Sequence, residues 1–292
     1  MAFMAMNGWG MRDPGHAVEQ RGPRYTVIRI VTNPEHDRKH HERSPAMGTA
    51  RSWLAVDEPV PAVRRLRLNR PEKRNALSAD LVEALIAALE QAEADGVAVI
   101  AIEGHGPNLS AGFDFSDLDQ MTDADLLVRF VRLEMLFQRL LSASAVTVGF
   151  AHGKNFGAGV DLLGACRHRI ATEDASFRMP GLQFGVVLGT RRFAQTVGEH
   201  TAYRILEASE SMNAAYAHRI GFVTQVAAPE DWPGVLDCMA ARSRVLCHDA
   251  RTALLGATLL TSADADLADL VRSVAAPGLK DRIRRYLDAQ SR

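Results

Sequence analysis

The stretch from Gly153 to Cys166, which reads GKNFGAGVDLLGAC, constrains this chain more than any other. An apolar segment, Ala145 to Phe150, leads into it, and an amphipathic segment follows. That order predicts a strand, a tight turn and a helix. Small residues at 157 to 159 let the backbone approach a ligand closely. The helix starting there points its free N–H groups outward, and such an end stabilises negative charge. Asp161 sits within that first turn. Donors for an anion beside a proton acceptor point to chemistry on a carbonyl compound.

Strand and helix patterns alternate on both sides of this stretch. Val63 to Asn69 alternates like a half-exposed strand, which Arg70-Pro71 ends. Ser78 reads as an N-cap before Leu81, Val82, Leu85, Ile86 and Leu89, spaced for one helix face. Val97 to Ile102 is a continuous apolar run, as expected for a strand covered on both sides. A loop at 104–116 precedes a long helical pattern at 123–142, and Arg169 to Thr172 reads as a further strand. Helical patterns dominate after Thr190, at 212–220, 233–246 and 279–289, the last with Ile283, Tyr286 and Leu287 on one face. The class is α/β, built from ββα or βαβ units.

The expected organisation is an N-terminal extension at 1–51, a core domain at 52–255 and a helical C-terminal segment at 256–292. Tyr25 to Thr32 interrupts the extension as a strand-like piece. Residues 33–51 carry His36, Arg38, Lys39, His40, His41 and Arg43 without metal-ligand spacing, and read as a solvated tail. A translation start at Met47 is the alternative for this region. The formal net charge of −1 gives no argument for nucleic acid. Cys166, Cys238 and Cys247 lack metal or redox spacing and read as reduced thiols, so the expected setting is cytoplasmic, with no metal. No run of 18 apolar residues predicts a membrane span, and the first ten residues do not read as a signal peptide.

Four blocks together resemble one known family. Asn69 to Ser78 (NRPEKRNALS) is similar to the opening signature of the crotonase (enoyl-CoA hydratase/isomerase) superfamily, and Gly104 to Asp114 (GHGPNLSAGFD) to its second. Gly153 to Cys166, with Arg169 to Phe177, resembles the third, and Ala214 to Val223 the segment that follows. The match spans about residues 60–227 in the family's order and spacing. It implies a crotonase-like spiral of ββα units with a helical C-terminal trimerisation region. It also implies acyl-CoA thioester substrates, no cofactor beyond the CoA of the substrate, and a homo-oligomer, trimeric or hexameric.

Carried over residue by residue, the resemblance assigns the two oxyanion donors to the backbone amides of Phe113 and Ala158. Ala158 stands where a middle glycine is usual, which is acceptable only if its φ is negative. Asp161 takes the position of the first catalytic glutamate. Gly181, in Met179-Pro180-Gly181, takes that of the second and cannot transfer a proton. Gly159-Val-Asp161 is closest to the dienoyl-CoA isomerase branch, whose downstream carboxylates would fall on Gly181 and Gly189. Lys73 and Arg74, with Ala76, fall where the family holds CoA. Ala111, Gly112, Phe115 and Gly157 belong to the substrate pocket, and Asp114 is expected to brace the oxyanion turn. Secondary candidates are His152 near the pocket, Gln183 as a water holder and Lys280, Arg282 and Arg284 for a neighbour's CoA phosphate. Arg191-Arg192 is expected to narrow the acyl pocket. The reading is an acyl-CoA enzyme of the hydratase/isomerase type with Asp161 as single acid/base. A thioester hydrolase, a catalytically silent acyl-CoA binder, and an Asp161 that only orients its helix stay open.

Overall fold

Hydrophobic periods of two and of 3.6 residues sort the chain into a sheet and the helices that cover it. The computed structural model describes residues 53–258 and 262–290, within a folded unit running from Arg51 to Arg292. The strand-like piece at 25–32, the polar run at 33–51 and Met47 lie outside the described residues. Strands β1 (Leu54–Val60) and β2 (Val63–Leu68) form an antiparallel hairpin, with Leu54 opposite Leu68. Then β3 (Val99–Gly104), β4 (Val146–Ala151), β6 (His168–Ala171) and β9 (Gln225–Val226) add in parallel, giving the order β1-β2-β3-β4-β6-β9. A second sheet joins β5 (Lys154–Phe156), β7 (Ser176–Arg178) and β8 (Met212–Asn213).

Parallel neighbours need crossovers, and helices supply them. Helix α1 (Ala79–Ala94) links β2 to β3, α2 (Asp123–Ser142) links β3 to β4, and α3 (Ala158–Gly164) lies between β5 and β6. Chain order thus runs strand, short strand, helix, as in β4-β5-α3. Ser78 caps α1 through its Oγ, which accepts from Leu81 N at 3.3 Å. The predicted face of Leu81, Val82, Leu85, Ile86 and Leu89 is buried. Each such side chain contributes about 1.5–3 kcal/mol when withdrawn from water. On α2, Thr122 and Asp125 form a capping box. Helix α7 (Trp232–Ser243) covers the opposite side of the sheet, its Leu236, Met239 and Ala240 clustering with Val99, Val148 and Ile170.

Strand β1 was not legible as a strand, because only Leu54 of its seven residues is buried. It is held instead by pairing with β2, where Asp57 sits opposite Arg65 and bonds to it. Helices α9 (Ala263–Val274) and α10 (Leu279–Gln290) bury Leu270, Val274, Leu279 and Ile283 in the main core. Asp123, at the start of α2, accepts from the amides of Gly278, Leu279 and Lys280. That carboxylate occupies the N-terminus of α10, where a negative charge is favoured. The C-terminal helix is therefore fastened back over the core. Among the described residues, no helix is long and apolar enough to cross a membrane.

Candidate active site

Two turns meet backbone to backbone. In the first, Ser110 Oγ donates to Asn75 O at 2.7 Å and accepts from Gly112 N at 3.1 Å. Leu77 N donates to Gly112 O at 2.7 Å. Gly112 has φ +88°, and a Cβ placed there would lie 2.4 Å from Phe156 O and 3.2 Å from Ala158 N. Only glycine admits both the conformation and the approach. The second turn begins α3. Gly157 takes φ +45°, its amide donates to Arg178 O at 2.8 Å, and its carbonyl accepts from Val160 and Asp161. Ala158 is not among the positive-φ residues, so the left-handed conformation falls on the glycine and alanine fits beside it. The amides of Phe113 and Ala158 have no acceptor among the described residues.

The first turn is braced from behind. The Arg129 guanidinium lies 4.3 Å from the Phe113 ring centre and donates to Asp114 O and Leu77 O. Asp114 pairs with Arg70 and accepts from Ser116 N at 2.9 Å. Burial pushes the Asp114 carboxyl upward, but the hydrogen bonds from Ser116 and Arg70 outweigh it and hold the group below its ordinary value.

Phe113, Ala158 and Asp161 line one cavity of about 240 Å³. Its wall is aromatic and aliphatic: Phe130 stacks on Phe113 at 4.5 Å, Phe113 meets Phe115 at 4.8 Å, and Tyr286 meets Phe184 at 5.1 Å. Among the described residues, Asp161, Thr190 and Tyr286 are the only polar side chains that line it. Asp161 is 7% exposed, and its carboxylate accepts no hydrogen bond from the described residues. Burial drives its pKa up to about 8, with Arg192 opposing that rise and Glu134 adding to it. A wider groove, about 600 Å³, runs beside Ile86, Arg132 and Asp266, but it contains none of the predicted site residues except Arg192. Chemistry follows the amides and the carboxylate, so the smaller cavity is the candidate site. Among the described residues, no cluster of three or more His, Cys, Asp or Glu could hold a metal.

The sequence profile described as enoyl-CoA hydratase/isomerase matches residues 60–274. The chain belongs to the enoyl-CoA hydratase/isomerase family. It is an enzyme of that type on the same evidence. It is 35% identical over 178 residues to a Bacillus subtilis protein named "Probable enoyl-CoA hydratase", covering 59% of this chain and 67% of that protein. A Danio rerio protein, "Enoyl-CoA hydratase domain-containing protein 3, mitochondrial", is 28% identical over 80% of this chain and 81% of its own length. A Bordetella parapertussis crystal structure assigned to the enoyl-CoA hydratase/isomerase type is 48% identical, with a TM-score of 0.79, covering 80% of this chain and 98% of that one. An enoyl-CoA hydratase structure from Bacillus halodurans, 18% identical, shares the fold with a TM-score of 0.71 over 80% of this chain and all of that one. The α/β spiral is therefore the crotonase fold.

Of the residues singled out in this family member, Ala111, Phe113, Phe115, Gly157, Ala158, Asp161 and Gly181 all line the cavity. Gly112 and Asp114 support it from the turn. Lys73 and Arg74 are exposed outside it, and Ala76 is buried, its carbonyl accepting from Arg70. Three secondary candidates are corrected. His152 Nε2 contacts Gly106 O at 2.7 Å and does not reach the cavity. Gln183 is exposed on the outer side of its turn, so it cannot hold a cavity water. Arg191 and Arg192 do not narrow the acyl pocket. Thr190 takes the cavity side of α4 (Thr190–Val197), and the helical turn carries Arg191 to Asp266 and Arg192 to Glu134. Lys280, Arg282 and Arg284 bond within their own chain, to Asp119 O and Met121 O, to Phe184 O, and to Asp119, and contact with a neighbour's CoA stays a proposal. Phe113 and Phe115 were expected here, but Phe130, Phe156 and Phe184 of the aromatic wall and the lining from α10 were not, although Tyr286 and Leu287 stood on the predicted apolar face.

Proposed function

We propose that this enzyme binds an acyl-CoA thioester and forms its enolate, holding the oxygen between the amides of Phe113 and Ala158. Asp161 is the single acid/base. One observation supports the reading: two amides from separate turns and one carboxylate, none with a hydrogen-bond partner among the described residues, belong to residues lining the same apolar cavity. Each oxyanion donor of this kind is worth about 2.7–4 kcal/mol in the transition state. In a 3-enoyl thioester, the Asp161 carboxylate would take a proton from C2. The electron pair moves into the thioester carbonyl as a dienolate, and the same proton returns to C4, shifting the double bond into conjugation. Gly181 favours this migration over hydration, because addition of water calls for a second group at that position. A relative from Escherichia coli named 2,3-dehydroadipyl-CoA hydratase is consistent with a CoA thioester as substrate. Lys73 and Arg74 would meet the CoA, no other cofactor is required, and the setting is a cytoplasmic trimer or hexamer.

The test offers crotonyl-CoA, a 3-enoyl-CoA and a saturated acyl-CoA to wild type and Asp161→Ala. Conversion of the 3-enoyl to the 2-enoyl thioester is expected, falling by about 10²–10⁴-fold in the variant. Hydration of crotonyl-CoA or release of free CoA would redirect the assignment to hydratase or thioesterase. Tight binding without product would make the protein a silent binder, and full turnover by Asp161→Ala would remove the base.

A further inference from the structure

Asp161 faces the substrate cavity on one side and a buried ion pair on the other. The space it uses belongs to α4: a Cβ on Gly189, the residue capping that helix, would lie 1.9 Å from Asp161 Oδ1. The carboxylate thus rests against the first turn of α4, whose amides at Thr190 to Arg192 have no acceptor among the described residues. Behind it, Asp161, Gly189, Arg192 and Phe222 border a void of about 10 Å³. That is about the size of one water, and Asp161, Arg192 and Thr196 are the polar side chains on its wall among the described residues.

Arg192 is 9% exposed and donates to both oxygens of Glu134, at 2.6 and 2.8 Å. Glu134, on α2, is 1% exposed and also accepts from Gln138. Asp266 Oδ2 on α9 lies 3.4 Å from Arg192 and is shared with Ser262 Oγ. These side chains are the charges facing Asp161 from the helices packed around it. Strand β4 carries no ionisable group, Lys154 of β5 is exposed, and Tyr286 of α10 shares the cavity wall.

We infer that the Arg192–Glu134 pair, acting across the void, and the side-chain-free Gly189 aim Asp161 and govern when it carries its proton. Arg192 and Glu134 are positioning residues, since neither lines the substrate cavity. The inference deepens the proposed role of Asp161 as base and rests on that reading for its catalytic meaning. Its physical content is simpler. Arg192 attracts the ionised carboxylate, Glu134 repels it, and their bidentate pairing leaves Asp161 with only the residual field.

The experiment follows the titration of Asp161 directly, by ¹³C-carboxyl NMR of the full chain, with Asp161→Asn to assign the signal. Glu134→Gln keeps hydrogen bonding to Arg192 but removes the negative charge, so the midpoint should fall by roughly half a pH unit or more. Arg192→Gln should raise it by a similar amount, Arg192→Lys should hold it near wild type, and the double Glu134→Gln/Arg192→Gln variant should lie between the singles. If Arg192→Gln does not fold, Glu134→Gln and the double variant still decide the matter. Alongside, the pH profile of α-proton exchange from a saturated acyl-CoA into deuterium oxide should move with the NMR midpoint. Equal losses of exchange with an unmoved midpoint would reduce the pair to a structural strut and overturn the inference. A midpoint that shifts as stated, without exchange by any form, would preserve the inference while sinking the catalytic reading. Gly189→Ala should displace the carboxylate and change its chemical shift; an unaltered signal would contradict the contact.

Discussion

Replacing Asp161 by asparagine tests the isolation of this carboxyl without any substrate. An unfolded aspartyl group titrates at 3.8, whereas burial in this fold takes Asp161 to about 8. Between those values the native chain holds a proton that the unfolded chain has released. Stability therefore falls as pH rises through the window, and the loss is complete above about 8. A gap of about 4 units corresponds to roughly 6 kcal/mol when the group is fully ionised in the fold, and roughly 4 kcal/mol of this is already present at pH 7. Asparagine is neutral throughout and escapes the penalty. Urea unfolding of wild type and Asp161→Asn at pH 5 and pH 8 should show the variant's advantage widening by roughly 4 kcal/mol. Protein concentration must be held constant, because the proposed association would add its own stabilisation. Every other titrating group is common to both proteins and cancels in the comparison. An advantage that stays constant within about 0.5 kcal/mol across that range would show that Asp161 ionises as a solvated carboxylate does. Asp161 would then lack the raised proton affinity that suits it to act as a lone base.

Two further substitutions probe the turns. Gly112→Ala places a methyl 2.4 Å from Phe156 O at φ +88°, so the two turns must separate. Turnover should drop by about 10²–10³-fold, as for loss of one oxyanion donor, while Gly234→Ala on α7, with nothing within 4 Å of its Cβ, should leave the rate intact. Equal rates in the two variants would argue against the paired amides. Gly181→Glu restores a carboxyl where the family resemblance places one, and its Cβ would meet only Val186 O at 3.1 Å. Hydration of crotonyl-CoA, followed by loss of enoyl absorbance, should rise; no gain would mean that the cavity differs from a hydratase in more than that residue.

What the sequence could reveal depended on how local the cause was. Helices α1 and α2 declared themselves because their caps and buried faces lie within a few residues of one another. Of the site's two turns, one was legible through the small residues at 157–159 and the other through the family resemblance, and Gly112 and Gly157 adopt the positive φ that such turns require. The cavity's far wall was not legible. Tyr286 and Leu287 reach it from α10, a helix held in place by contacts distant in sequence, among them Asp123, more than 150 positions earlier, at its N-terminus. The fate of Arg192 was hidden for the same reason. Its partner Glu134 is 58 residues away, and nothing near either residue signals a buried pair. Strand β1 escaped because an edge strand with one buried residue carries no alternation to read.

The two glycines that replace expected carboxylates are not equivalent, and the difference bears on the chemistry. At Gly181 a side chain would find modest crowding, so that position is vacant in the ordinary sense. At Gly189 the space is already filled by Asp161 Oδ1, and a carboxylate there would have to evict the one present. Of these two positions, only 181 could take a second acid. Without it, proton counting limits what the site can do. Hydration needs one group to activate water and another to protonate carbon, whereas bond migration removes a proton and gives the same proton back. A carboxyl that titrates near 8 is suited to both halves of that cycle, since close to neutrality it is neither too weak a base nor too weak an acid. On the proposed reading, the apolar burial that makes Asp161 costly to ionise would let this one residue serve both halves of the migration.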